Sequence, residues 1–483
     1  MSPIDAFRIL SAVGRHRRAS QDQLVQFQHA RLRRLIGHAY DAVPFYRALF
    51  QRHGIRPEHI RTTADLPLIP VTSKRELQGA NPTEMVARGL DPSRLIAYRT
   101  SGSSGEPLTV RRTWLEERLG SAFRLRAFHD FGLRSRDMRV VLGADGGRLT
   151  SYDPRNWEGL QLLLRSLGLY RKVRLDYRIP VSELLDRLAA LGPDVLSSSP
   201  SVLARIGRAM TRDRPGGIAP RLVISGGEVL TPLERRQISE SFGARVVDMY
   251  SSHETGLIAW ECSRGTGLHV ADDSVILEVL KDGRPAEPGE AGEVVATRLH
   301  AFAMPFIRYR LGDLVTRGTA PCPCGAPFST ILTIQGRMTD YFQMPDGRLL
   351  QPYELVIIIH QQAARWVGQF QLTQETRERV VLRVAPLVPP APDEVAVLEG
   401  VARAKLGAGI DFQLLLVPEI PVEINGKFRL SRSFVQSVYD EVDWDRRRAD
   451  DMASLNRVAT GEARPFRPAG RSLLVDNDPE GKR

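Results

Sequence analysis

Along the first part of the chain, to about Leu90, apolar positions recur with a helical period. A proline-marked turn interrupts that pattern at VPFYRALF, and PVTSKREL starts it again. Two short apolar runs, RLIAY and LTVRR, then read as strands on either side of TSGSSGEP. A helix is expected to begin at Thr113, where Thr-Trp-Leu-Glu forms a capping box with Glu116. Beyond it helix and strand alternate, most clearly in RLVISGGEVLTPLERRQISESFGARVVDMY. There RLVI is a buried strand and SGGE a turn; Thr231, Pro232 and Glu234 supply an N-cap, a first-position proline and a capping glutamate. Gly243 ends the helix and ARVVDMY returns as a strand, a β-α-β unit whose loops lie at the carboxyl ends of the strands. Binding residues are expected at those loops. From about His269 the pattern shortens to VILEVL, EVVATRL and FIRYRLGDLV with turns between them, a β-rich section attached to the α/β body.

A further boundary falls near Gly336-Arg337, after which VVLRVAP and FQLLLVP point to a compact α+β unit. The expected fold class is therefore α/β: a large N-terminal domain over 1–336, with sheets flanked by helices plus the β-rich section, and a small α+β C-terminal domain over 337–445. Residues 446–483 are polar and rich in Arg, Asp and Pro, and are expected to be a disordered tail.

Composition narrows the class of protein. The chain has 483 residues, 42% hydrophobic and 25% charged, enough for a large core and more than one domain. No apolar run approaches the roughly 18 residues of a membrane span, and MSPIDAFRILSAVGRHRR lacks a signal-peptide core, so a soluble cytoplasmic protein without membrane partners is expected. The net charge of +11 comes almost wholly from arginine, and no nucleic-acid-binding module accompanies it, so no nucleic-acid partner is expected. Lysine occurs only at positions 74, 172, 281, 405, 427 and 482, which makes Lys427 in the glycine loop INGKFRL conspicuous.

TSGSSGEP concentrates hydroxyls and glycines in one loop. Thr100, Ser101, Ser103 and Ser104 supply hydroxyl donors, while Gly102 and Gly105 let backbone N–H groups approach a ligand, a combination suited to a polyphosphate. A hairpin loop that needs glycine for its turn is the alternative reading. A Walker loop is excluded, because no Gly-Lys-Ser/Thr follows and the next element is extended. Separately, the three cysteines, Cys262, Cys322 and Cys324, together with His269, form a Cys₃His set, the composition of a closed structural zinc site.

Four further stretches accompany the opening loop: SGGE at 225 to 228, DMYSSHETG at 248 to 256, YRLGDL at 309 to 314, and the pair GRMTDYF and INGKF. In this order and at these separations they resemble the adenylate-forming superfamily of acyl-CoA synthetases, most of all its phenylacetate-CoA ligase and CapK-like branch. VPFYRALF, GIRPEHI and DLPLIPVTSKREL share the likeness, which spans roughly residues 30 to 435. The resemblance implies that residues Thr100 to Gly105 hold the β- and γ-phosphates of ATP, with Glu106 standing where many relatives carry lysine. It puts Gly226, Gly227 and Glu228 along one side of the adenine, Tyr250 stacked on the purine and Asp248 near its amino group. Glu254 matches the glutamate that holds Mg²⁺, while Ser251 and His253 replace the usual glycine and threonine of that motif. Asp313 matches the aspartate that accepts the ribose hydroxyls, and Arg337 the arginine that contacts ribose or phosphate at the hinge, with Thr339 or Asp340 as pivot. Lys427 matches the catalytic lysine of the mobile C-terminal domain. The CapK-like branch often carries a similar Cys, His, Cys-x-Cys-Gly pattern, which favours Zn²⁺ on Cys262, His269, Cys322 and Cys324.

What the resemblance implies is an AMP-forming acid–thiol ligase: a small carboxylic acid attacks the α-phosphate of ATP, and the acyl-adenylate then passes to coenzyme A. The alternatives are transfer to an amine, a hydroxyl or a carrier-protein thiol, and a non-catalytic nucleotide-binding relative. The resembling ligases often pair, so a homodimer is compatible with the resemblance.

Overall fold

The computed structural model describes residues 13–100, 108–143, 171–213, 218–319, 321–420 and 428–435, without the side chains of 211–213 and 339. The N-terminal region is helical as expected. Helix α1 (Gln21–Ala42) is capped by Ser20, whose hydroxyl accepts from Gln23 N while the Gln23 side chain accepts from Ser20 N. Its buried positions, Leu24, Gln28, Leu32, Leu35, Ile36 and Ala39, follow the helical period. Val43 is extended ahead of Pro44, which opens α2 (Pro44–Arg52). A short α3 (Lys74–Gly79) follows. Helices α1 and α2 pack on Ile276, Leu299 and Ile307, while Leu77 of α3 packs with Met304, Phe306 and Tyr309.

Strands β1 (Ile96–Arg99) and β2 (Thr109–Arg112) form a separate antiparallel hairpin. Helix α4 (Trp114–Asp130) begins on the Thr113–Glu116 capping box read from the sequence. The remaining strands of the large domain are β3 (Arg139–Leu142), β4 (Lys172–Leu175), β5 (Val195–Ser198), β6 (Leu222–Gly226), β7 (Arg245–Ser252), β8 (Gly256–Glu261) and β9 (Leu268–Val270). After them come β10 (Val275–Lys281), β11 (Arg284–Pro285), β12 (Ala291–Arg298), β13 (Tyr309–Arg317) and β14 (Thr330–Arg337). Together they make one 12-stranded sheet in the order β11-β10-β12-β13-β14-β9-β8-β7-β6-β5-β3-β4.

The β-rich section expected after His269, attached to the α/β body, forms most of the antiparallel half of this sheet. Strands β3 to β7 pair in parallel, and the sense reverses at β7–β8. On one face of the parallel half lie α5 (Val181–Leu191), α6 (Pro200–Asp213) and α7 (Pro232–Phe242), in a core with Val140, Leu196 and Val223. Helix α4 covers the other face, with Phe123 and Phe128 in the core that holds Trp260. Both faces of the central parallel strands are covered, which is why β6 runs Leu222, Val223 and Ile224 with every side chain buried.

The α7 unit is built as its sequence indicates: Thr231 caps, Pro232 leads, Glu234 closes the box and Gly243 ends the helix at φ 60°. Glycine suits that left-handed end.

Beyond Arg337 the chain forms a small β15–β16 ribbon (Phe342–Gln343, Leu349–Leu350), α8 (Pro352–Ala363), β17 (Val367–Gln374), β18 (Arg379–Pro386), α9 (Pro392–Leu406), β19 (Asp411–Leu416) and β20 (Ser431–Ser433). The four-stranded sheet runs β19-β18-β17-β20 and has its own core around Trp366, Phe370, Leu398 and Phe412. Leu233 of α7 joins that core, and Gln237 of α7 donates to the Val367 carbonyl at 2.7 Å, so the small unit rests on α7. The chain past residue 435, including the expected tail, lies outside the described residues.

Candidate active site

The five motif regions come from distant parts of the chain, and the fold brings those that are described around strand β7 and the turn that follows it. Thr100 closes the neck of the β1–β2 hairpin. Its N–H donates to the Leu108 carbonyl at 2.9 Å, and its hydroxyl accepts from Leu108 N at 2.9 Å. Ser101, Gly102, Ser103, Ser104, Gly105 and Glu106 lie outside the described residues. The hairpin on which they hang is tied to the next motif: the Tyr98 ring stacks on His253, centroids 5.6 Å apart. Arg112 lies 5.2 Å over the Tyr98 ring, pairs with Glu117 at 2.9 Å and donates to the His253 carbonyl. His253 is therefore a packing residue here, and the loop neck stands beside Glu254.

The turn from β7 to β8 is held from within by the hydroxyls of Ser252 and Thr255, 2.9 Å apart, and by Thr255 N donating to Ser252 at 3.0 Å. Gly256 adopts φ 81°, which returns the chain into β8. Ser251 is exposed. Glu254 is half-buried; its carbonyl accepts from Arg298 at 3.2 Å, and no described side chain hydrogen-bonds its carboxylate. Buried Arg298 has its pKa pushed down to about 9, first by desolvation and then by Arg112. Two guanidinium groups under one turn make a positive floor that an anionic ligand would relieve. A hard carboxylate oxygen beside that floor fits Mg²⁺, which takes one or two protein carboxylates alongside phosphate oxygens.

Tyr250, Asp313 and Arg337 are brought together. Strands β13 and β14 place Asp313 opposite Arg337, and the Arg337 Nε lies 3.4 Å from Asp313 Oδ1. The Tyr250 hydroxyl donates to Asp313 Oδ2 at 2.6 Å. Burial, then the Asp313 charge, pushes the Tyr250 phenol well above its usual range, so it remains a donor. Its ring is buried in the core, engaged at its hydroxyl end. Asp313 sits within strand β13, just after a bulge at Gly312 (φ 74°), and not in a turn.

Gly226 ends β6 so close to β7 that a Cβ there would lie 2.8 Å from the Met249 carbonyl oxygen, and Gly227 adopts φ 87°. Asp248 is buried on β7; Met249 N donates to its carboxyl at 3.0 Å. It faces a cavity of about 600 Å³ bounded by Leu230, Pro232, Ile334, Tyr353 and His360. A cavity of that size suits a small-molecule ligand. Glu228 turns elsewhere: its carboxylate accepts from Ser201 N at 3.3 Å and from Phe428 N at 3.0 Å. Just beyond Arg337, Asp340 pairs with Arg429 at 2.9 Å, both nearly buried. Lys427 lies outside the described residues, immediately before Phe428.

Cys262, His269, Cys322 and Cys324 converge, with all four ligand atoms within 4.8 Å of one another. Cys262 and Cys322 sulfurs are 3.6 Å apart, and His269 Nε2 lies 3.2 Å from both Cys322 and Cys324 sulfurs. Tetrahedral ligands at the usual zinc bond lengths would stand roughly 3.5–3.8 Å apart. The four side chains come together with the composition of a closed zinc site, two of the three close contacts being shorter than that spacing.

Sequence reasoning missed Tyr98, Arg112, Arg298, Tyr353 and Arg429. In so arginine-rich a chain no single Arg stands out, and Tyr98 and Tyr353 belong to no motif.

No family model matches the chain. A phenylacetate-coenzyme A ligase of Thermus thermophilus is 29% identical over 344 residues, covering 66% of this chain and 72% of the relative. The structure of 2-hydroxyisobutyryl-CoA ligase in its postadenylation state superposes with a TM-score of 0.71 at 20% identity, over 92% of this chain and 94% of that one. The same ligase with 2-HIB-AMP and CoA in its thioesterification state superposes with a TM-score of 0.59 at 19% identity, over 91% and 94% of the two chains. Among the described residues no helix is long and apolar enough to cross a membrane. With its motifs in order, the chain is similar in sequence to the phenylacetate-coenzyme A ligases and shares the fold of the CoA ligase it superposes on.

Proposed function

We propose that this protein activates a small carboxylic acid with ATP, forming an acyl-adenylate and pyrophosphate, and then transfers the acyl group to the thiol of coenzyme A. The observation that carries the reading is the convergence of Tyr250, Asp313 and Arg337 on one side of β7 with the Glu254 turn tied to the β1–β2 hairpin. A carboxylate is a poor acyl donor because oxide is a poor leaving group. Attack of its oxygen on the α-phosphorus forms the mixed anhydride and expels pyrophosphate, so AMP becomes the leaving group of the second step. That first step brings anions together, and its barrier falls where fixed positive charge is already in place.

In this reading Asp313 accepts the ribose hydroxyls, oriented by the Tyr250 hydroxyl and Arg337. Asp248 lies at the base end, Gly226 and Gly227 let the nucleotide approach the backbone, and the Thr100 loop carries donors for the phosphates. Glu254 would hold Mg²⁺, which neutralises phosphate charge when bound. Lys427 serves the α-phosphate in the first step, and Thr339 or Asp340 is the pivot that withdraws it. Cys262, His269, Cys322 and Cys324 would hold zinc as a brace; a Cys₃His set leaves no open coordination position for chemistry.

The test is ATP–pyrophosphate exchange across aryl, arylacetic and aliphatic acids, followed by mass spectrometry with CoA, an amine and a hydroxylated acceptor offered together. Acid-dependent exchange and an acyl-CoA product are expected. Exchange with no acid sinks the activity, and a product lacking CoA sinks the second half.

A further inference from the structure

We infer that Glu228 is a positioning residue that docks the C-terminal domain onto the nucleotide-binding domain, holding the segment that carries Lys427 in place for the first half-reaction. The inference rests on the function proposed above. It departs from the sequence expectation that Glu228 lines the adenine.

The two oxygens of Glu228 have different partners. Oε2 accepts from Ser201 N at 3.3 Å. Ser201 lies in the first turn of α6, where backbone N–H groups have no intrahelical acceptor and the helix dipole favours an anion. The carboxylate is thereby anchored within its own domain. Oε1 reaches across 200 residues of sequence to accept from Phe428 N at 3.0 Å.

The far side of that bond is equally fixed. The Phe428 side chain is buried, the Arg429 carbonyl accepts from Gln371, the Arg429 guanidinium pairs with Asp340, and the Leu430 carbonyl accepts from Leu372 N. Phe428 N is therefore a rigid point on the small domain's own sheet. This hydrogen bond adds to the α7 contacts that join the two units, and it must break whenever the small domain rotates away. Its partner is a backbone N–H, so it reports position and not side-chain identity. Losing it disfavours the docked arrangement alone.

A nucleotide contact would behave otherwise. The acyl-adenylate carries the same AMP group as ATP, so a lost adenine contact weakens both half-reactions. A lost docking contact weakens only the first. A hydrogen bond to a charged group is worth roughly a factor of 10 to 100.

The experiment compares wild type, Glu228→Ala and Glu228→Gln by two readouts. Amide hydrogen exchange at Phe428, resolved with overlapping peptides, needs no activity: the Ala variant should exchange about tenfold faster or more, and the Gln variant, whose amide oxygen still accepts, should stay near wild type. In kinetics, the Ala variant should lose roughly 10- to 100-fold in kcat for pyrophosphate exchange with little change in ATP KM, while thioester formation from supplied acyl-adenylate is kept or quickened. Gln should restore most of the loss. An unchanged Phe428 amide in the Ala variant, or equal losses in both half-reactions, would overturn the inference. A wild type without exchange activity whose Phe428 amide still responds to Glu228 would refute the proposed reaction and leave the docking contact standing.

Discussion

Replacing Asp248 by Asn tests the electrostatics of the buried site, because burial of this carboxyl sets the sign of the effect and bounds its size. Burial pushes this carboxyl up to about 7 from 3.8, opposed by Arg235 and reinforced by Glu261. Arg235 gives little net relief because it is already paired with Glu261 at 2.7 Å. The unfolded chain releases this proton near pH 3.8, whereas the native state keeps it to about pH 7. Across that window the native state binds more protons than the unfolded one, so stability falls as pH rises, then levels off. Below the window both states are protonated and the group contributes no slope. At about 1.36 kcal/mol per pH unit, the part between about pH 5 and about pH 7 amounts to roughly 3 kcal/mol as an upper bound, and water entry around the ionised form reduces it. Asn has nearly the same shape and no proton to lose. Unfolding of the two proteins, by denaturant or heat at about pH 5 and about pH 8.5, should show the Asn variant gaining about 1–3 kcal/mol relative to wild type between the two conditions. Other titrating groups are common to both proteins and cancel in the difference. Parallel pH profiles would mean that native Asp248 ionises like a solvated carboxyl, and the desolvation argument would fail.

The Lys427→Ala variant should lose pyrophosphate exchange by about 100-fold or more, while thioester formation from supplied acyl-adenylate survives in part; equal loss in both steps would contradict a lysine that acts in one arrangement only. Protein purified without added metal should contain zinc by elemental analysis. Cys324→Ser should release it and lower the melting temperature without changing which acid is preferred, and a zinc-free wild type whose melting temperature ignores chelator would show ordinary reduced cysteines. For Gly226→Ala, the new methyl would meet the Met249 carbonyl at 2.8 Å, forcing β6 and β7 apart. Denaturant titration should find a loss of about 1–3 kcal/mol; an unchanged midpoint would show that the strand end yields.

What the sequence made legible was local. The capping boxes at Thr113 and Thr231, the proline at Pro232 and the glycine stop at Gly243 all appear as read, because each is decided by residues within one helical turn. The β-rich section was read as attached to the α/β body, but how it joins was not legible, because short strands look alike whether they start a new sheet or extend an old one. Only pairings such as β8 with β7 and β14 with β9 show that they extend it. Asp313 shows the same limit in reverse: Gly312-Asp313 has the composition of a turn, yet a bulge absorbs the glycine and the strand continues. Side-chain roles were least legible where the partner is remote. The SGGE motif marks where a nucleotide is expected, but which way Glu228 turns depends on Ser201 and Phe428, far from it in sequence. A motif can fix a residue's address in the fold while leaving its partner open. The identity of the partner decides whether a carboxylate reads a base or holds a domain, and under the proposed function two half-reactions that share AMP would separate those roles.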